Sequence, residues 1–233
     1  MKVFAIGDLH LPGGDQKPMD VFGAHWANHF ERISQDWRDR VGEQDVVLIP
    51  GDISWAMQLQ DAATDLRAIG ALPGRKVLLR GNHDYWWGAI TRVRSILPQG
   101  MLALQNDALV LEDQVFCGTR GWVCPGDAPL APDDEKIYRR EALRLEMSLK
   151  TARRVAPSLP LTVLLHYPPC NERQEPSAFT SLLESYGVQR LVYGHLHGAA
   201  LRHAIQGTHW GGCQVFQVSC DGLKFSLLAL PDA

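Results

Sequence analysis

Five short apolar runs recur along this chain, at residues 3–6, 46–49, 77–79, 161–165 and 191–193, and each gives way within three residues to Asp, Asn or His. Runs this short fit strands buried on both faces. Between them lie segments of helical spacing at residues 20–40, 56–70, 86–97, 134–155 and 177–186. Strands alternating with helices predict βαβ units and a mostly parallel sheet. Segment 134–155 is the clearest helix. Asp133, Asp134 and Glu135 load its start with acid, and Lys150, Arg153 and Arg154 load its end with base, matching the helix dipole. Residues 199–205, 213–219 and 223–230 read as further strands joined by Gly-rich turns, an antiparallel set that closes the fold. No repeat or long linker divides the sequence, so a single α/β domain over residues 1–233 is expected.

Composition narrows the function. With 45% hydrophobic and 21% charged residues, the chain has the make-up of a soluble globular protein. A formal charge of -3 without a basic run disfavours long duplex nucleic acid as a partner. No apolar stretch reaches membrane-spanning length, and MKVFAIGD is too short for the core of a signal peptide. The five cysteines (Cys117, Cys124, Cys170, Cys213 and Cys220) form no CxxC pair, which suits reduced, structural thiols in a cytoplasm, with Cys170 the exception by its neighbours.

The residues after the runs carry the chemistry: Asp8 and His10, then Asp52, then Gly81-Asn82-His83-Asp84, then His166, then His195 and His197. In open α/β sheets ligands bind at the carboxyl ends of strands. Asp8/His10 and His195/His197 are spaced i, i+2, so in extended backbone each pair points to one side. Asp-x-His or His-x-His alone is a weak signal; the order and placement of all of them together is strong. His25 and His29 have helical i, i+4 spacing, but Trp26 stands where a zinc protease needs Glu, so they read as helix surface or packing. His203 and His209 have no motif around them and read as structural.

This ordered set resembles the calcineurin-like metallophosphoesterase superfamily over residues 8–197. The resemblance implies a four-layer α-β-β-α sandwich with two mixed sheets and a two-metal centre at the strand ends. It implies that Asp8, His10 and His197 hold one ion, Asn82, His166 and His195 the other, and that Asp52 bridges them. His83 would be the acid near the leaving group, with Asp84 orienting its ring, and a metal-bridging hydroxide the nucleophile.

Elementary electrostatics is consistent with that picture. Two dications about 3.5–4 Å apart repel by on the order of 20 kcal/mol at an effective dielectric near 20, so bridging anions are required. The nitrogen and oxygen donors suit Mn, Fe, Co or Zn better than Ca, with Mn expected first. Two dications, two carboxylates and a hydroxide leave a charge of roughly +1, which a monoanionic phosphodiester neutralises better than a dianionic monoester. The expected substrate is therefore a small phosphodiester, with nucleotides among the candidates. A nuclease or phosphomonoesterase of the same superfamily is the alternative, and an inactive binding scaffold the more distant one. Specificity is expected in the loops at 120–134 and 167–179, with Trp122 and Arg173 as candidate substrate contacts. Trp86 and Trp87 read as core packing.

Overall fold

The continuous apolar runs become strands because both of their faces are covered. The structure, a computed structural model, describes residues 1–14 and 19–232. Its strands are β1 (Val3–Ala5), β2 (Val46–Ile49), β3 (Arg75–Leu78), β4 (Met101–Ala103), β5 (Ala108–Leu111), β6 (Gln114–Thr119), β7 (Leu161–Leu165), β8 (Arg190–Tyr193), β9 (Gly207–His209), β10 (Cys213–Gln217) and β11 (Leu228–Ala229). The helices are α1 (His29–Arg40), α2 (Leu59–Gly70), α3 (Ile90–Ile96), α4 (Pro132–Val155) and α5 (Ala178–Ser185).

Two mixed sheets result, ordered β11-β1-β2-β3-β4 and β5-β6-β7-β8-β10-β9. Neighbours from β1 to β4, and β6-β7-β8-β10, run parallel; β11, β5 and β9 add antiparallel edges. Alternate residues of one strand serve different layers. Val47 and Ile49 pack with Trp37 of α1 and Leu66 of α2, whereas Val46 and Leu48 meet Leu164 and Val192 of the other sheet. On the far side Val163 and Leu191 pack with Leu149 of α4 and Leu183 of α5. The layers are thus α-β-β-α, as expected.

Several boundaries differ from the sequence reading. The helix expected from residue 20 starts at His29. Met19–Phe22 and Ala24–Trp26 form single 3₁₀ turns, separated by Gly23 at φ 130° and halted by Asn28 at φ 51°. His25 therefore lies on a turn, and only His29 belongs to a helix; its Nε2 donates to the Leu9 carbonyl at 2.9 Å. Segment 199–205 is not a strand but lies mostly in a 3₁₀ stretch, Gly198–His203, and of segment 223–230 only Leu228–Ala229 pairs. The closing set is not purely antiparallel, since β10 lies parallel to β8.

Candidate metal centre

All the strands that carry the motifs end on one rim. Asp8, His10, Asp52 and Asn82 come from the loops after β1, β2 and β3, and His166, His195 and His197 from those after β7 and β8. Each sheet therefore supplies part of the cluster. The i, i+2 projection expected from extended backbone does not occur. Asp8 (φ 57°), His10 (φ 46°), Asp52 (φ 51°) and His195 (φ 70°) all take left-handed backbone. The chain curls back at each tip, a conformation costly outside glycine and concentrated at functional sites. Neighbouring tips lock together, His10 N donating to the Asp52 carbonyl and Asp8 N to that of Gly51, both at 3.0 Å. Two glycines are required by the packing: a Cβ on Gly81 would lie 2.1 Å from Asp52 Oδ1, and one on Gly194 2.2 Å from Asp8 Oδ2.

The side chains converge as electron-pair donors. His166 Nδ1 donates to the Pro50 carbonyl at 3.0 Å, and burial lowers the ring's pKa, so its Nε2 presents a lone pair to the cluster. That Nε2 lies 2.6 Å from Asn82 Oδ1 and 3.3 Å from His195 Nδ1, which is itself 3.0 Å from Asn82 Oδ1. Lone pairs packed this closely call for a cation between them. On the other side His197 Nε2 stands 3.4 Å from both His10 Nε2 and Asp8 Oδ1. Asp52 Oδ2 sits between the two groups, 3.9 Å from His10 Nε2 and 3.5 Å from His166 Nε2. Asp8, His10 and His197, and likewise Asp8, Asp52 and His166, bring their donor atoms within 4.8 Å of one another, so this arrangement fits the divalent ions.

Electrostatics points the same way. Burial, followed by the charge of Asp8, pushes Asp52 up to about 8. Asp8 stays well below the usual carboxylate range; burial opposes this, but the His197 hydrogen bond and the surrounding imidazoles outweigh it. Burial pushes His10 and His195 down to about 3. Positive charge at the centre would reverse the repulsion between the two carboxylates.

His83 joins the rim as expected, half-buried and with its ring 4.5 Å from that of Trp55 and 5.9 Å from that of His10. Its expected hydrogen bond to Asp84 is absent. Asp84 accepts instead from Ile53 N, Ser54 N, Gly81 N and Trp86 Nε1 at 2.7–3.1 Å, while His83 Nδ1 is buried without a partner. The carboxylate is committed to the turn that it pins, Oδ1 taking three of these bonds and Oδ2 the fourth.

Among the described residues, two clefts reach the cluster. One, about 320 Å³, is walled by Met19, Phe22, Trp26 and Trp55 and floored by His10, Asp52, His83, His195 and His197. His25 lies on its rim. The other, about 210 Å³, runs past Trp122, Tyr167 and His203 to His195. Trp122 thus lines this cleft, its Nε1 donating to Asp134 Oδ1 at 3.0 Å. Arg173 does not. It lines neither cleft, because Asp127 and Glu175 take its guanidinium at the surface. Cys170 lines the second cleft, but burial pushes its thiol up to about 12, which leaves it unreactive. Trp86 and Trp87 are core residues as expected, donating to Asp84 and Gln105.

Asp221 escaped the sequence reading. It lies after β10 and accepts from His197 Nδ1 at 2.9 Å, fixing the ring so that Nε2 faces the cluster. Burial opposes charge on His197, yet the hydrogen bonds to Asp221 and Asp8 push it up to about 10. Carboxylates that orient a ligating histidine contribute about 10–100-fold to metal affinity. Asp221→Ala is expected to weaken metal binding by that amount, measured by titrating Mn²⁺ into chelator-stripped protein; unchanged affinity would contradict the orienting role.

A profile of the calcineurin-like phosphoesterases matches residues 1–199. The gene 66 protein of Mycobacterium phage D29 is 38% identical over 87 residues, 35% of this chain and 40% of that protein, so the match spans less than half of the relative's length. Among solved structures, phosphopantetheinyl hydrolase from Mycobacterium tuberculosis superposes with a TM-score of 0.54 at 15% identity, covering 99% of this chain and 96% of that one. A protein of unknown function from Aquifex aeolicus gives 0.51 at 13% identity, covering 98% and 95%. At such identities the structural likeness establishes the shared fold.

Proposed function

We propose that this chain, which belongs to the calcineurin-like phosphoesterase family, is a metal-dependent phosphohydrolase whose substrate is a small phosphodiester. The observation that carries this reading is the charge of the larger cleft. Among its described lining residues there is no Lys or Arg, while Asp52 and Asp221 are both present. A dianionic monoester would meet no side-chain cation beyond the metal centre, whereas a monoanionic diester balances the site. The walls of Met19, Phe22, Trp26 and Trp55 suit an apolar or planar ester group, a nucleoside included.

In this reading Asp8, His10 and His197 hold one ion and Asn82, His166 and His195 the second, with Asp52 between them. Mn²⁺ is the first choice, and Fe, Zn or Co suit the same donors. Bound ions would supply an activated water and a positive clamp on the phosphoryl oxygens. His83 hands a proton to the departing oxygen, and the Trp55 ring beside it restricts its motion. A reducing compartment such as the cytoplasm suits five free, buried cysteines. No helix among the described residues is long and apolar enough to cross a membrane.

The test strips the protein of metal and restores Mn²⁺ while following bis(p-nitrophenyl) phosphate and p-nitrophenyl phosphate side by side. Turnover should return with the metal and kcat/KM should favour the diester. A higher kcat/KM on the monoester would reject the diester assignment and leave a phosphomonoesterase.

A further inference from the structure

A third cavity, about 240 Å³, opens where β3, β4 and β6 end beneath α4, and none of the proposed metal ligands lines it. Its walls carry Arg80, Arg120, Arg140 and Arg144 against a single carboxylate, Glu141. Glu141 is already committed: it is 1% exposed, accepts from Arg144 at 2.6 Å and from Thr119 Oγ1 at 2.5 Å, and has Arg140 Nε at 4.0 Å. Among the described residues neither Arg80 nor Arg120 forms an ion pair, and Arg80 Nε is buried with no hydrogen-bond partner. Four guanidinium groups against one carboxylate concentrate positive charge on a chain whose overall charge is -3. A buried donor without an acceptor is costly, and guanidinium forks match phosphate oxygens in pairs.

The cavity also communicates with the metal centre. Arg120 lies over the Trp122 ring at 4.4 Å, Trp122 is 5.0 Å from Tyr167, and Tyr167 is 4.1 Å from the ring of His195. The Arg120 carbonyl accepts from His166 N at 2.9 Å.

We propose that this arginine cavity is a second phosphate site, in which Arg80, Arg120, Arg140 and Arg144 bind a phosphoryl group without a metal. Two sources share that chemistry: a second phosphate on the substrate, reaching across the Trp122–Tyr167 shelf, or free inorganic phosphate. The first of these rests on the phosphodiester reading above; the site itself does not.

Inorganic phosphate is titrated calorimetrically into the purified chain with and without EDTA. The expected result is a chelator-resistant site that weakens by at least about tenfold in Arg140→Gln/Arg144→Gln, a tenfold change being one 1.4 kcal/mol step. No chelator-resistant binding, or binding unaltered by the double substitution, overturns the proposal. Arg140→Gln alone changes an exposed side chain and provides the same comparison should the double variant fail to fold. Because EDTA removes the metals, this readout stands whether or not the chain hydrolyses diesters. KM then assigns the source: a rise in the variant for a diester bearing a second phosphate, but not for bis(p-nitrophenyl) phosphate, identifies the substrate. No rise for either, with the calorimetric loss retained, identifies free phosphate, and both results support the site.

Discussion

Asp52→Asn is expected to cut turnover of bis(p-nitrophenyl) phosphate by at least ~10³-fold while the fold survives. The asparagine keeps the shape and the oxygen that accepts from His83 N at 2.8 Å, so the turn is preserved. What disappears is the negative charge between His10 and His166. With that charge gone, two neighbouring dications lose a bridging anion and their repulsion goes unscreened. Metal content should drop below two ions per chain.

The proton count provides a second readout. Asp52 is pushed up to about 8 and His197 up to about 10 before any ion binds, so both carry protons at pH 7. Ions must displace those protons, so metal affinity falls as pH falls through neutrality and recovers as it rises. In Asp52→Asn one of the two protons is missing, and the pH dependence of affinity should flatten by about one proton. Pairing wild-type affinity and turnover with unaltered metal content would exclude the bridging role.

His83→Ala should retain both metals but lose ~10²–10⁴-fold on diesters with poor leaving groups, and much less on nitrophenyl esters, whose phenolate departs without help. Burial, then the neighbouring His166, lowers the pKa of His83. The protonated acid is therefore scarce at neutral pH, and turnover of poor leaving groups should rise as pH falls until ligand protonation unloads the ions. The alkaline limb of that profile should vanish in His83→Ala. Equal losses on both classes of leaving group, or a profile unchanged in shape, would show that His83 does not donate the proton.

The central strands were legible because Val47 and Val46, facing opposite layers, are both apolar; burial on two faces writes a continuous run. β5 was passed over although Ala108–Leu111 is itself a run of four apolar residues, because it lies at a half-exposed sheet edge and leads into Glu112-Asp113 rather than to a motif. Segment 199–205 misled because its apolar residues mimic a strand, whereas Gly198 at φ 50° starts a 3₁₀ stretch. The ligand candidates were readable as an ordered set, but their geometry was not: spacing suggested extended pairs at Asp8/His10, and the tips are left-handed turns. Asp84 was misjudged for a related reason, because its partners Ile53 and Ser54 lie about thirty residues upstream. Asp221, Arg80 and Arg120 carry no local pattern and acquire meaning only through neighbours distant in sequence.

The division of the cluster between two sheets has a consequence for biosynthesis. His10 and His197 meet across 187 positions, so no early portion of the emerging polypeptide can assemble the centre. A half-made or misfolded chain offers scattered carboxylates and imidazoles with little hold on an ion. On the proposed reading, metal binding and hydrolysis therefore wait until both sheets have formed.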